Sequence, residues 1–204
     1  MSVELYLAYV LACLVITIIP GPTVTLIAAN SLAHGTRAGL LNVVGTQIGL
    51  GLMMLVLIVG LSSIIATMGV WFDWLRFIGA AYLIWLGWKL LRSSGSLNGA
   101  DGAPPPRGGF IAQGFLVLMG NPKALLWFGA FIPQFVDPAT DYVSQVVLLG
   151  VTAMVTAAIS DGAYALLAGS ARTMLSRHRV RLVSRLGGLC LIGGGAWLAL
   201  TRAR

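Results

Sequence analysis

Long apolar runs separated by short polar punctuation set the pattern of this chain. The runs match what a bilayer demands, roughly 20 mostly apolar residues per crossing. They extend from about Leu5 to Ala33, Gly39 to Ile65, Trp71 to Leu91, Gly109 to Val136, Val143 to Ala168 and Leu186 to Leu200. Two of them carry breaks: Pro20-Gly21-Pro22 lies inside the first and Gly120-Asn121-Pro122-Lys123 inside the fourth. Proline removes a backbone donor and clashes with the preceding turn, and glycine lacks helix propensity, so each cluster predicts an interrupted helix. As a straight helix the first run would measure about 43 Å against a hydrocarbon core of about 30 Å. It must tilt, bend or break. In hydrocarbon the freed carbonyls and amides need partners in protein or water, so broken helices survive where they line a cavity. Paired breaks in matching positions point to a transporter.

The predicted fold is therefore an all-α membrane protein of about six transmembrane helices, arranged as two inverted three-helix repeats with the first helix of each broken at a proline. Residues 1–91 form the first repeat and residues 109–204 the second. Between them, 92–108 is rich in Ser, Gly and Pro and reads as a flexible linker. Three spans per half make the second half enter from the opposite face. Trp71, Trp74, Trp85 and Trp88 sit near the ends of the third run, as interfacial aromatics do. Lys and Arg mark the cytoplasmic loops: Arg37; Lys89, Arg92 and Arg107; and Arg172, Arg177, Arg179, Arg181 and Arg185. The other loops carry Asp73, Asp137 and Asp141. Six spans put both termini outside, although Arg202 and Arg204 oppose that assignment; five spans and a re-entrant segment would accommodate them. The Glu4-bearing start and the long first run argue against a cleaved signal peptide.

Composition agrees: 58% of 204 residues are apolar and 9% charged, which leaves no room for a soluble domain. The net charge of +7 follows from span-end Lys and Arg, without the aromatic-interleaved stripe of a nucleic-acid surface. Cys13 and Cys190 lie apart in apolar runs and read as small core residues, and His34 and His178 fall in polar connections, so neither a metal nor another cofactor is called for. No P-loop is present.

A few polar residues inside the apolar runs are candidates for chemistry. Asp161 is the one acidic residue well inside a span. Desolvation favours its neutral form, which makes it a candidate proton carrier, the alternative being a carboxylate that offsets the basic loop after it. Lys123 falls near mid-membrane at the second break, where it can bind a substrate carboxylate, pair with Asp161 or fold back toward water. Gln47 sits about as deep as Asp161, so inverted halves would present both to one cavity; the alternative for Gln47 and Asn42 is a helix-to-helix hydrogen bond. Asn121 lies at its break, able to cap backbone groups or touch a ligand. Thr23 and Thr25 open the half-helix after Pro22 and are placed to cap it, aiming its positive end at an anion. Pro20, Gly21, Pro22, Thr23, Gln47, Asn121, Pro122 and Lys123 thus form the candidate substrate site. The glycines of the last run, Gly187, Gly188 and Gly193 to Gly195, predict close helix packing, and Gly45-x-x-x-Gly49 serves either packing within a monomer or a homodimer.

Five elements together carry a family resemblance: Pro20-Gly21-Pro22; Gly35-x-Arg37-x-Gly39; Gly79-Ala80-Ala81-Tyr82-Leu83-x-x-Leu86-Gly87; Asn121-Pro122-Lys123; and Phe131-x-Pro133-Gln134-Phe135. In that order, over nearly the whole chain, they resemble the LysE/RhtB family. The resemblance implies a multi-pass exporter of the bacterial inner membrane that moves amino acids or their derivatives out of the cell, driven by protons. Its members commonly carry an acidic residue in the fifth span, some of them one turn earlier, at the position held here by Ala157. Other readings are export of another small solute or a metal cation, an intramembrane enzyme using Asp161, and a non-transporting assembly protein; the spans hold no His, Cys or carboxylate cluster for a metal cation and no catalytic partner for an enzyme.

Overall fold

The computed structural model describes residues 1–60, 68–92, 106, 108–137, 140–171 and 177–200, and among these every regular element is helical. The elements are α1 (Val3–Ile18), α2 (Pro22–His34), α3 (Thr36–Gly60), α4 (Met68–Leu91), α5 (Gly109–Met119), α6 (Pro122–Leu126), α7 (Tyr142–Ala171) and α8 (Arg177–Leu200). Both predicted breaks are real. α1 and α2 meet at 47°, and α5 meets the segment from Pro122 to Phe135 at 55°. Proline opens the second half-helix each time, at the position where its missing amide costs nothing. Beyond α6 the chain runs through a single wide turn, Trp127–Phe131, and a tight one, Ile132–Phe135, before α7. α3 and α7 are each long and apolar enough to cross a bilayer, and each bent pair passes the same test as a unit.

Two boundaries differ from expectation. α8 starts at Arg177, inside the basic stretch predicted to be a loop, because Arg is a good helix former whatever its charge. The predicted linker and the first residues after α3 and α7 lie largely outside the described residues.

Apolar stripes face outward, as lipid contact requires: Leu7, Leu11, Leu14 and Ile18 on α1 are all exposed, while only Tyr9 and Cys13 of that helix are buried. Trp85 and Trp88 are also exposed, with Lys89 and Arg92 stacked over their rings at 5.5 and 4.6 Å. Cys13 is buried as expected. Cys190 is exposed, the reverse of the core role read for it, because its side of α8 faces away from α4.

Small residues bring backbones together inside the bundle. A Cβ on Gly45 would strike the carbonyl of Ile111, and one on Gly114 the carbonyl of Asn42, so α3 and α5 cross in direct backbone contact. Gly49 meets Leu118 on the same seam, so Gly45-x-x-x-Gly49 packs within the chain. Gly87 and Gly188 do likewise between α4 and α8. Next to the α3–α5 crossing lies an amide network: Asn30 Nδ2 donates to Asn42 Oδ1 (2.7 Å) and Gln113 Oε1 (2.9 Å), and Asn42 Nδ2 donates to the Phe110 carbonyl (2.6 Å). It ties α2, α3 and α5 at one end of the bundle. At the other end Tyr9 stacks on Phe131, meets Trp127 at a tilt and Phe135 edge-on, and its hydroxyl donates to the Leu149 carbonyl at 3.0 Å.

Backbone contact leaves no flexible side chain to yield. Gly45→Ala and Gly114→Ala are each expected to destabilise the purified protein by about 1–3 kcal/mol in thermal unfolding. Gly193→Ala, where a Cβ meets nothing within 4 Å, serves as the control. Equal melting of all three would show that the seam is looser than described.

Candidate functional site

The two breaks meet at the centre of the bundle. Asn121 caps α6, its Oδ1 accepting from the Lys123 amide at 3.0 Å, and its Nδ2 donates to Thr23 Oγ1 at 2.6 Å. Thr23 is thus a cross-chain acceptor; the residue capping α2 is Gly21, which offers no side chain, so the expected capping by Thr23 and Thr25 is not what the structure contains. Asn121 does cap backbone, as expected.

The breaks are closed in different ways. At the second, the chain satisfies itself: Gly120 N donates to Leu116 O at 3.2 Å and Asn121 N to Leu118 O at 2.9 Å. At the first it cannot, because the amides that would meet Ile16 O and Ile18 O belong to Pro20 and Pro22 and carry no hydrogen. Side chains from the second half take their place. Lys123 Nζ donates to Ile16 O at 3.1 Å and Ile19 O at 3.0 Å, Ser160 Oγ to Thr17 O at 3.0 Å, and Tyr164 OH to Ile18 O at 2.9 Å. A cation at a helix C-terminus also meets the negative end of its dipole. Lys123 forms no ion pair with Asp161; two of its three ammonium donors go instead to the end of α1.

Beside this junction is a cavity of about 70 Å3 with an open mouth. α1 contributes Cys13, Ile16 and Thr17, and Thr23 and Val24 come from α2. Leu50 and Leu118 close it from α3 and α5, Asn121, Lys123, Ala124, Trp127 and Phe128 supply one wall, and Ala153, Thr156, Ala157 and Asp161 of α7 supply another. Asp161 is 7% exposed and lies near Thr46 of α3, whose hydroxyl donates to the Val43 carbonyl at 2.8 Å. Four expected site residues, Thr23, Asn121, Lys123 and Asp161, line one cavity. Pro20, Gly21, Pro22 and Pro122 shape the breaks without lining it. Gln47 is not on the wall, and its buried Nε2 has no partner. Its neighbour Thr46 is the one that lies near Asp161. Ser160 and Tyr164 escaped the sequence reading, and their one signal is polarity on either side of Asp161. Ala157 lines the cavity too, so the two span-five positions implied by the family resemblance share one wall.

A profile of the LysE type translocators matches residues 14–202. The chain belongs to the LysE family. It is 30% identical to an uncharacterized membrane protein of Vibrio cholerae over the full length of both chains. It is 32% identical to a homoserine/homoserine lactone efflux protein of Salmonella typhi over 82% of each chain, and 28% identical to a leucine efflux protein of Klebsiella pneumoniae over 95% of this chain and 94% of that one. No solved structure matches it. This LysE-family protein is accordingly a translocator rather than an enzyme, a multi-pass protein of the bacterial inner membrane.

Within this LysE-family site the Asn121–Thr23 bond is the side-chain to side-chain link between the two breaks among the described residues. Asn121→Ala removes that bond and the cap together and is expected to cost about 1–3 kcal/mol, whereas Thr23→Val removes only the bond and costs about 1 kcal/mol. In a double-mutant unfolding cycle the two should be coupled; strict additivity would mean that the bond contributes nothing.

Proposed function

We propose that this LysE-family protein is a secondary active exporter of amino acids or their derivatives, exchanging them for protons. The observation that carries the reading is Asp161, the one carboxylate on the wall of a cavity formed where two broken helices meet. Most of that wall is apolar, which suits an aliphatic side chain, and its polar groups gather at the break. The first amides of α2, at Thr23 and Val24, precede the first intrahelical bond, which Thr25 makes. They and the remaining proton of Lys123 would take the carboxylate of the cargo. Asp161 would bind and release the coupling proton across the cavity from them. The efflux proteins to which the chain is similar support amino acids and derivatives as the class of cargo.

The same reading takes residues 1–91 and 109–204 as inverted repeats joined by 92–108, with six spans. α1 and α5 each end in a break, each is followed by a half-helix opening on proline, and α3 and α7 then cross as the long straight spans. Rocking one repeat against the other would expose the cavity to either face. A homodimer stays compatible with the outward-facing stripes, since none of them is used within the chain.

Reconstituted into liposomes loaded with a panel of labelled amino acids, the protein should release a narrow subset when a proton gradient is imposed. Asp161→Asn should abolish gradient-driven release. Undiminished release by that variant would remove Asp161 as the proton carrier, and release of no amino acid by folded protein would overturn the cargo assignment.

A further inference from the structure

We infer that Lys123 is a latch on the C-terminal end of α1, and that the carboxylate of the cargo opens it. This rests on reading the cavity as an amino-acid site. The Lys123 stem crosses Gly21, where a Cβ would touch its Cε at 3.7 Å, and its ammonium ends on the Ile16 and Ile19 carbonyls. Two of the three donors of a lysine are thereby spent. The same side chain is part of the cavity wall, so a carboxylate bound there must share it with the end of α1.

That competition has a predictable direction. A helix C-terminus presents about half a negative charge, spread over its last carbonyls, whereas a carboxylate presents a full one and forms shorter, stronger bonds to an ammonium. Once Nζ turns to the carboxylate, α1 loses the only cationic cap found among the described residues, and its end is repelled by the new negative charge. Two neutral bonds, from Ser160 and Tyr164, remain.

α1 is also the element most able to respond. Only Tyr9 and Cys13 of its 16 residues are buried. Its N-terminal half is pinned to α7 by Tyr9 on the Leu149 carbonyl and by Tyr6 against Thr152 at 3.0 Å. Lys123, together with the two neutral bonds from α7, pins the other half, and it is the one charged tie among them. Released, the segment from Cys13 to Pro20 swings about the Tyr9 anchor and opens the cavity along Cys13, Ile16 and Thr17. A carboxylate is then required for gating as well as for affinity, because an amine of the same shape would fill the cavity without freeing α1.

Amide hydrogen exchange of the peptide from Leu14 to Pro22, measured on the whole protein in lipid nanodiscs, reads the latch directly, with binding of labelled L-leucine and L-homoserine measured separately. Saturating amino acid should speed exchange in this peptide roughly tenfold, the effect of losing a charged cap, while the cavity filled with L-leucinamide should leave it unchanged. Lys123→Met should show the fast exchange without ligand and gain nothing from it. Tyr164→Phe, a milder loss, should show an intermediate rate and still respond, which keeps the test intact if the lysine variant does not fold. Bound leucine with unchanged exchange would overturn the latch and leave the cavity reading standing. An equal response to leucinamide would overturn the role of the carboxylate. Binding of no amino acid would overturn the cavity reading, and the latch with it.

Discussion

Four carbonyls at the end of α1 constrain the rest of this molecule. Their helical partners are absent, two of them because proline has no amide hydrogen, and an unpaired carbonyl within hydrocarbon costs several kcal/mol. The chain answers with Lys123, Ser160 and Tyr164, all from beyond residue 108. This requirement fixes α6 and α7 against the first break, brings Asn121 onto Thr23, and leaves Asp161, one residue after Ser160, facing the space between them. The cavity follows from how the break is closed.

Its surroundings divide by chemistry. Toward the end that carries Tyr9 it is bounded by stacked rings around the wide turn Trp127–Phe131, where Pro133 forces the helix out of regular geometry. Toward the other end lies the amide network of Asn30, Asn42 and Gln113, beside the backbone crossing of α3 and α5.

Much of this was legible because proline and length are unambiguous signals. The breaks at Pro22 and Pro122 and the long spans α3 and α7 follow from backbone chemistry alone. Asp161 was legible for the same reason that it is rare: a lone carboxylate in an apolar run demands an explanation. The bonds from Lys123 to the end of α1 were not, because their acceptors are backbone carbonyls and leave no mark in the sequence. Gln47 was misjudged by depth. It sits at the right level, but a helical step of 100° separates it from Thr46, and that rotation decides which of the two lies near Asp161. The exposure of Cys190 is likewise a matter of rotation, in the half of α8 that is apolar all round.

The unequal closure of the two breaks bears on how the protein is made. Ribosomes deliver residues 1–91 to the membrane first, yet among the described residues every group that caps the end of α1 arrives after residue 108. Until α6 and α7 are inserted, those carbonyls must be held by water, so the first half is kept short of its final depth or its final partners. The second break needs no such help, since Leu116 and Leu118 are met by amides a few residues away. Biogenesis is therefore directional: the second half can settle as it enters the bilayer, and the first is completed by it.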